Sequence, residues 1–271
     1  MSMLRRAFLA AAALTLSAPA LASPLPNHAY DLNGNTADAL GGPSLSLQGS
    51  ATQTASGVSF ANSGGSHSGL ALTDAVDAFS SGGTYSLELE FEYASNASWY
   101  RVLNMLGTPT GEQGLYVRAG GLSYYEDTTY TGAGAFTNDT MHHLVFTRDE
   151  TTASVYLDGV AAFSHMPPYA SSLITNDILF FIDNGDEESS GFVDFIRTYD
   201  IALSSLDVST LYNNGTPLST EDLLNSQEHG NGPGGTQPVP EPATWMLSIL
   251  GFGVIGAAMR TGRRERPAVA A

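Results

Sequence analysis

Three carboxylates stand at alternate positions, Glu88, Glu90 and Glu92, within the segment 85–93 that reads Tyr-Ser-Leu-Glu-Leu-Glu-Phe-Glu-Tyr. Two carboxyl groups can cleave a glycosidic bond as acid and nucleophile when they lie about 5–5.5 Å apart. At about 3.3 Å per residue, side chains four residues apart on one strand face are separated by about 13 Å. The spacing therefore predicts a solvated strand face, and a hydrolase pair at Glu88 and Glu92 is the alternative.

A short loop near the beginning of the chain places four side chains with oxygen atoms around Gly34, namely Asp31, Asn33, Asn35 and Asp38. Ca²⁺ takes about six to eight oxygen ligands, often from flexible loops. Asn, Asp and Gly are also the residues that form ordinary turns. The loop is therefore a candidate site for a structural Ca²⁺, with a simple turn as the alternative. The acidic segment 183–188 is a rival site.

Two aromatic pairs are candidate platforms for a sugar ring, Trp99-Tyr100 and Tyr124-Tyr125. Sugar sites need exposed aromatic side chains beside hydrogen-bonding groups. Neighbouring residues of a strand point to opposite faces, so one member of each pair is expected to reach solvent. For the same reason the two histidines at 142–143 are expected to point apart, which makes them poor joint metal ligands.

The first 22 residues have the order of a secretory signal peptide. Arg5 and Arg6 precede an apolar run from Ala7 to Leu16, and small residues follow up to Ala22. The run is about ten residues long, shorter than the roughly 20 that a membrane-spanning helix needs. We therefore predict cleavage after Ala22 and export of the chain that follows.

The other end of the chain joins the triplet Pro240-Glu241-Pro242 to an apolar stretch from Trp245 to Met259, followed by Arg260, Arg263, Arg264 and Arg266. This order resembles the PEP-CTERM sorting signal of Gram-negative bacteria, which an exosortase, a membrane protease-transpeptidase, recognises and removes. Arginines resist crossing a bilayer, so the tail is expected in the cytoplasm and the rest of the chain outside. The resemblance implies a transmembrane helix at about 244–260 that tethers the precursor transiently to the inner membrane. An ordinary single-span anchor is the alternative.

The chain between these ends is strongly acidic. It holds 25 of the 27 acidic residues against four arginines, a formal charge of −21, and the whole chain has no lysine. Such a field argues against nucleic acid, whose phosphates need a basic surface. It is compatible with solubility outside the cell and with divalent cations. Because the chain has no cysteine, neither a disulfide nor a thiolate metal site can stabilise the fold.

Short alternating segments between clusters of Gly, Asn, Asp and Ser predict an all-β domain over residues 23–220. The predicted strands are 85–93, 114–119, 121–125, 142–148, 153–157, 177–182 and 191–199. A tight turn is expected at Asp158-Gly159. One short helix is expected at 204–212, capped by Ser204 or Ser205, with three residues against the sheet, Leu206, Leu211 and Tyr212. A flexible Gly/Pro linker at 221–238 leads to the sorting signal at 239–266 and the tail at 267–271.

Three segments, taken in order, resemble laminin-G-like domains of the concanavalin A-like lectin/glucanase class: the opening loop at 30–38, the hairpin at 141–160 and the closing strand with the following Ala-Leu-Ser at 191–204. Met141 stands where the family usually has Trp, and Phe195 where an acidic residue often follows Asp194. The resemblance implies a jelly-roll sandwich of two antiparallel sheets. It also implies that the opening loop lies near the closing strand, which adds Asp194 to the candidate calcium ligands.

The sequence therefore predicts a non-catalytic exported protein whose laminin-G-like module binds glycan or protein at the cell surface or in the extracellular matrix. The expected partners are an exosortase-type protease and an extracellular polysaccharide or surface protein. Laminarinase-type hydrolases share this broad fold and carry a strand reading Glu-x-Asp-x-Glu, so a polysaccharide-cleaving enzyme is the first alternative. A purely structural matrix component is the second.

Overall fold

The computed structural model describes residues 23–61, 67–75, 79, 83–108, 111–126, 129–132, 135–174, 176–183 and 187–214. These residues all belong to a unit that ends at Thr220. The predicted signal peptide, the linker and the sorting signal with its transmembrane helix lie outside the described residues. Among those that are described, none of the helices is both long and apolar enough to span a bilayer.

The described part of the chain forms fifteen strands, and their order is β1 His28–Tyr30, β2 Ser46–Gln48, β3 Thr52–Gln53, β4 Val58–Phe60, β5 Gly69–Leu72, β6 Tyr85–Tyr93, β7 Trp99–Asn104, β8 Gly114–Arg118, β9 Gly121–Tyr125, β10 Thr129–Thr131, β11 His142–Arg148, β12 Ala153–Leu157, β13 Val160–Met166, β14 Ile178–Phe180 and β15 Gly191–Tyr199. A 3₁₀ turn, Ala170–Ser172, precedes β14, and helix α1, Ser205–Asn214, follows β15. The predicted strands 85–93, 121–125, 142–148, 153–157 and 191–199 have the bounds that the alternating pattern indicated.

Two antiparallel sheets contain these strands. The first runs β13-β12-β11-β6-β15-β4-β3, with β1 paired to β15, and the second runs β10-β9-β8-β7-β14-β5-β2. Alternate residues of each sheet meet in one buried core, such as Leu89 of β6 and Val117 of β8. The predicted all-β, two-sheet jelly-roll sandwich is therefore confirmed, and each sheet also has an outer face that points away from this core.

The turn between β12 and β13 forms as expected. Asp158 and Gly159 both have positive φ angles, 51° and 76°, which is the geometry of the two-residue turns that match strand twist. The Asp158 carboxylate accepts a hydrogen bond from the backbone N–H of His143 at 3.0 Å, and its other oxygen lies 2.8 Å from His142 Nδ1. This one side chain therefore ties the turn to the beginning of β11.

Helix α1 packs on the outer face of the first sheet. Ser204 caps it, because the Asp207 amide donates to the Ser204 hydroxyl at 3.2 Å and the Ser204 amide donates back to the Asp207 carboxylate at 2.8 Å. The expected packing of Leu206 was wrong, since this side chain is 56% exposed. Val208 is the buried residue instead and, together with Leu211, it packs against the sheet residues Val145, Tyr156 and Tyr199.

Candidate functional site

The outer face of the second sheet collects aromatic and charged side chains from three neighbouring strands. Trp99 of β7 pairs with Arg118 of β8, Arg101 pairs with Tyr116, and Gly114 pairs with Tyr125 of β9. Since residues two apart on a strand share a face, the side chains of Trp99, Tyr116 and Tyr125 all point outward from the sandwich.

These three rings border a cleft of ≈ 210 Å³, and the remaining lining residues are Glu112 and Glu187. The Trp99 ring lies 5.3 Å from that of Tyr116 and 6.0 Å from that of Tyr125, at interplanar angles of 89° and 80°. The rings therefore meet at right angles and form the walls of a corner. Edge-to-face contact of this kind also stabilises the arrangement.

A buried ion pair contacts one wall of this aromatic cleft, the ring of Tyr116. Arg101 is fully buried, and its Nε lies 2.5 Å from Asp183 Oδ2. The guanidinium also donates to the Tyr116 hydroxyl, which donates in turn to the Glu112 carbonyl at 2.6 Å. The Arg101 amide donates to the Glu187 carbonyl at 2.9 Å. The two segments that carry the cleft carboxylates are therefore both attached to the strands.

Buried acidic groups stand behind the cleft. Glu188 accepts a hydrogen bond from the Asp183 amide at 3.1 Å, and His67 Nδ1 lies 3.3 Å from the same carboxylate. Burial raises the pKa of Glu188 above its ordinary value. Burial raises the pKa of Glu187 as well, and the negative charges of Asp183 and Glu112 raise it further. Carboxylates therefore lie both at the border of the cleft and next to the residues that line it.

The structure separates the four aromatic candidates into two groups. Trp99 and Tyr125 line the cleft, as the expected alternation of strand faces requires. Tyr124 was a wrong candidate for a surface platform, because it is 0% exposed and packs in the core against Phe146. Tyr100 also turns toward the core, where its ring lies 6.1 Å from that of Tyr93. Ligand binding at the two cleft residues stays a prediction.

Two side chains of the candidate calcium loop accept hydrogen bonds from backbone amides. Asp38 accepts hydrogen bonds from the amides of Ala29, Leu40 and Gly42 at 2.8–3.0 Å, and its Oδ2 lies 2.7 Å from His28 Nδ1. Burial alone would raise the pKa of Asp38, but these hydrogen bonds hold it below its ordinary value. Asn35 caps the same loop by accepting from the Ala37 amide at 2.9 Å. Both therefore stabilise turns.

Of the other calcium candidates, Asp194 lies at the bulge of β15, while Asp31 and Asn33 follow β1. Burial and the negative charge of Asp31 raise the pKa of Asp194, and Arg197 lies 4.0 Å from Asp31. Asn33 is exposed, and its carbonyl is 3.5 Å from the Asn35 amide group. In the described ranges no three His, Cys, Asp or Glu side chains are grouped to hold a metal ion. Calcium binding at the five candidates stays an untested prediction.

The predicted solvated face of β6 was wrong for Glu88, which is 2% exposed. Its carboxylate lies 2.7 Å from His143 Nε2, accepts a hydrogen bond from the Tyr199 hydroxyl and lies 3.9 Å from Arg197. Burial alone would raise the pKa of Glu88, but His143, Arg197 and Tyr199 hold it below its ordinary value. Glu90 and Glu92 are half-buried. The two histidines do point apart, as expected, since His142 contacts Asp158 instead.

Residues 63–209, more than half of the chain, match the family model of the concanavalin A-like lectin/glucanases superfamily. The chain belongs to this superfamily. Residues 238–264 of the same chain match the PEP-CTERM protein-sorting motif, which includes the predicted Pro240, Glu241 and Pro242. The protein is thus exported, with a concanavalin A-like domain and a sorting signal that implies processing by an exosortase-type system. No curated protein matches the sequence.

Solved structures share the fold of this concanavalin A-like domain at low sequence identity. Domain 4 of the GH43 arabinanase AbnA from Geobacillus stearothermophilus is 19% identical, with a TM-score of 0.55 over 70% of this chain and 100% of that one. Trypanosoma rangeli sialidase is 16% identical, with a TM-score of 0.52 over 68% of this chain but only 32% of its own. A botulinum neurotoxin type C structure is 13% identical, with a TM-score of 0.55 over 71% and 52%.

Three cleft residues were not among the sequence candidates for ligand binding, namely Glu112, Tyr116 and Glu187. Tyr116 had a usable signal, because it alternates with the apolar residues Leu115 and Val117 in β8. Glu187 belongs to the acidic segment 183–188, for which the sequence predicted only a rival metal site. Glu112 lies in a loop next to a glycine and had no signal of its own, since its place depends on the pairing of β7 with β8.

Proposed function

We propose that this exported protein is a non-catalytic glycan-binding module whose binding site is the aromatic cleft. The observation that carries the proposal is the meeting of Trp99 and Tyr125 at a cleft bordered by Glu112 and Glu187. Aromatic rings pack against the apolar face of a sugar ring, while carboxylates accept hydrogen bonds from its hydroxyl groups. A few polar groups converging on an aromatic wall is the usual composition of a small-ligand site.

The rigidity of the cleft supports this proposal. The buried pair of Arg101 and Asp183 fixes the lining residue Tyr116, whose hydroxyl bridges that pair to the segment of Glu112. Side chains that are already fixed lose little conformational freedom when a ligand binds. The volume of ≈ 210 Å³ is below the about 300–1,000 Å³ that holds a drug-sized ligand. We therefore assign the cleft to one sugar residue or chain end.

Two structural neighbours are described with sugar ligands. The arabinanase domain was solved with arabinotriose, and cell entry of the botulinum neurotoxin depends on two ganglioside molecules. At below 20% identity the shared feature is the fold, and a common fold does not imply a common site. These neighbours make glycan a reasonable first class of ligand to test, and the cleft itself supplies the argument for binding.

The sorting signal and the charge support a place outside the cell. PEP-CTERM signals mark exported proteins that are anchored in the membrane before processing. We propose that the precursor is held in the inner membrane with its domain on the periplasmic side, and that removal of the tail releases it to the cell surface or matrix. The formal charge of −21 keeps such a released domain soluble.

Calorimetric titration of the exported protein with a panel of neutral, amino and acidic oligosaccharides tests the glycan proposal. We expect saturable binding to at least one class, and a loss of about tenfold or more in Trp99→Ala because the ring stacks on the sugar. Tyr212→Ala is the matched control, since Tyr212 is an exposed aromatic residue of helix α1 on the other sheet. Absence of saturable binding, or equal loss in both variants, would contradict the proposal and favour a purely structural role.

A polysaccharide-cleaving enzyme is the second candidate, and the same cleft favours it. Glu112 and Glu187 border one cleft, and burial together with the charges of Asp183 and Glu112 raises the pKa of Glu187, as a general acid requires. Glu88 is less suited to that role because His143 and Tyr199 enclose it. Release of reducing ends from a polysaccharide, abolished in Glu187→Gln, would establish the enzyme. Binding without any such release would establish the binder.

A further inference from the structure

The aromatic cleft has a neighbouring cation that reaches solvent. The part of the chain between the predicted signal peptide and the sorting signal has four arginines and no lysine. The structure describes all four, and Arg101, Arg148 and Arg197 are buried. Arg118, the last residue of β8, is the exposed one among them. In this strongly acidic domain the arginine that reaches solvent is therefore the cross-strand partner of Trp99.

The three buried arginines have partners within the protein. Arg101 pairs with Asp183 at 2.5 Å, and Arg197 lies 3.9 Å from Glu88. Arg148 donates hydrogen bonds to one hydroxyl group and to two backbone carbonyls. Their positive charges therefore stabilise the fold and are not available to a ligand.

The carboxylates at the cleft are engaged within the protein as well. His67 Nδ1 lies 3.3 Å from Glu188. Burial raises the pKa of Glu187, and a hydrogen bond with the Tyr116 hydroxyl opposes that rise. Glu112 likewise interacts with another part of the protein. The cleft therefore does not require a positively charged ligand, and its acidic border suits the hydroxyl groups of a neutral sugar.

Arg118 lies over the ring of Trp99. Its guanidinium carbon is 4.2 Å from the ring centroid, within the about 6 Å over which a cation is attracted to an aromatic face. The N–H groups of a guanidinium lie in its plane, so a guanidinium held over a ring keeps donors that point away from that ring. Gly121, the partner of Arg118 on β9, has no side chain to cover these donors. Among the described residues the side chain of Arg118 forms no ion pair, so it is able to donate to a ligand.

The ring of Trp99 joins this arginine to the cleft. Trp99 lines the cleft, and Arg118 is not one of the lining residues. The cleft volume of ≈ 210 Å³ suits one sugar residue. A glycan of two or more residues must therefore extend beyond the cleft. Where it passes over Trp99, its next residue meets Arg118.

We propose that Arg118 forms a second subsite that binds the carboxylate of an acidic sugar, so that the ligand is a glycan in which a neutral residue adjoins a uronic acid. This inference rests on the proposed glycan-binding function and narrows it to one ligand class. The planar guanidinium donates two parallel hydrogen bonds to a carboxylate, which a neutral residue cannot match. Within the cleft, by contrast, Glu112 and Glu187 disfavour a carboxylate, so the neutral residue binds there. The charge of the rest of the domain is screened beyond about 8 Å at physiological ionic strength.

Oligosaccharides that differ only in the charge of their carboxyl groups give the decisive test. Hexasaccharides of hyaluronan, unsulfated chondroitin and glucuronoxylan each contain neutral residues next to a uronic acid. Each is titrated calorimetrically into the exported protein, beside its carboxyl methyl ester, at physiological ionic strength. We expect the acid form of at least one of them to bind about tenfold more tightly than its ester, because only the acid form pairs with Arg118.

Two substitutions of Arg118 identify the group that binds the carboxylate. Arg118→Gln should bring the ratio of the two affinities close to one, since it removes the charge and keeps a side chain that forms hydrogen bonds. Arg118→Lys should retain part of the ratio, because an ammonium group lacks the planar fork. Thermal unfolding identifies a variant that fails to fold, and the two independent variants keep the test decisive if one does.

Ser56→Asp is the matched control. Ser56 is exposed between β3 and β4 of the first sheet, far along the chain from the cleft strands. The substitution changes the net charge by the same one unit as Arg118→Gln. It should leave the ratio of affinities unchanged.

Each other outcome overturns the inference in a recognisable way. If oligosaccharides bind but no acid form is preferred over its ester, the uronic acid assignment is wrong while glycan binding stands. If Arg118→Gln weakens the acid and ester forms equally, Arg118 only positions the ring of Trp99 and is not a subsite. If no oligosaccharide of any class binds, the proposed function fails together with the inference.

Discussion

Glu88 lies on the outer face of the first sheet and Glu187 in the segment between β14 and β15, beside the outer face of the second, and their surroundings differ in kind. Helix α1 covers the first sheet beside Glu88, and His143, Tyr199 and Arg197 surround its carboxylate. Glu187 borders an open cleft, where burial and the negative charges of Asp183 and Glu112 raise its pKa. The surroundings of Glu88 stabilise its charged form, and those of Glu187 disfavour it.

This difference shows how one fold divides its polar residues between stability and function. Taking a carboxylate out of water costs several kcal/mol unless hydrogen bonds and an opposite charge compensate it. The first sheet supplies that compensation from β11 and β15, so its outer face is closed. The second sheet pairs Asp183 with Arg101, and Glu112 and Glu187 border a cleft beside that pair. The face with the cleft is therefore the one to search for a ligand.

The largest expected effect is on the closed face. Glu88→Ala should lower the free energy of unfolding by about 3–5 kcal/mol, because it leaves a cavity, removes the acidic partner of the buried His143 and leaves Arg197 with only the more distant contact to Asp31 at 4.0 Å among its ion pairs in the described part of the chain. Urea unfolding of the exported protein measures the change. Glu92→Ala, four residues along the same strand, should cost about 0.5 kcal/mol or less. Similar losses in the two variants would show that the closed network does not stabilise the fold.

Acidification should affect the two faces in opposite directions. The folded pKa of Glu88 is lowered, so its stabilising contribution is complete above the unfolded pKa and is lost as the pH falls through the folded pKa. The folded pKa of Glu187 is raised, so its charge opposes folding at neutral pH, and this penalty decreases as the pH falls through the folded pKa and is gone below the unfolded pKa. Ligand affinity at the cleft should therefore decline at a higher pH than the one at which unfolding begins.

Parallel pH series of calorimetric binding and thermal unfolding measure the two midpoints. Glu187→Gln removes the cleft carboxylate whose pKa is raised, so ligand affinity should begin to decline at a lower pH in this variant. The midpoint of acid unfolding should stay close to that of the unsubstituted protein. If affinity and stability fell together in the parent protein, the cleft carboxylate would not be the group that controls binding.

The sequence predicted the strands well because alternation is a local property. Strand β6 has Leu87, Leu89 and Phe91 on one side and carboxylates on the other, and its bounds follow directly. The sequence did not predict that Glu88 is covered, because the cover comes from Tyr199 and helix α1, more than 100 residues later in the chain. From the sequence alone, a charged residue that points outward from a strand is predicted to be in solvent. Only the tertiary structure shows whether a distant segment covers it.

The candidate sites followed the same rule. Trp99 and Tyr125 were found from their residue type and strand position, but their meeting with Glu187 depends on the pairing of β7 with both β8 and β14. The calcium loop was predicted from its oxygen-bearing side chains, and the same side chains can cap turns. In the structure Asp38 caps a turn, since it accepts three backbone hydrogen bonds. Composition alone does not distinguish the two uses.

The smallest expected effect is at Asp194, where the first sheet keeps some unbalanced charge of its own. Burial and the charge of Asp31 raise its pKa, so Asp194→Asn should raise the free energy of unfolding in EDTA by about 0.5 kcal/mol. Excess Ca²⁺ should stabilise the parent protein if the ion binds there, and should not stabilise the variant, because a ligand bound only to the native state raises its midpoint. Thermal unfolding of both proteins with EDTA and with Ca²⁺ measures the difference. An unchanged parent midpoint would show that Ca²⁺ does not bind at Asp31 and Asp194, and that the raised pKa of Asp194 reflects burial and local charge at the bulge of β15 rather than an empty metal site.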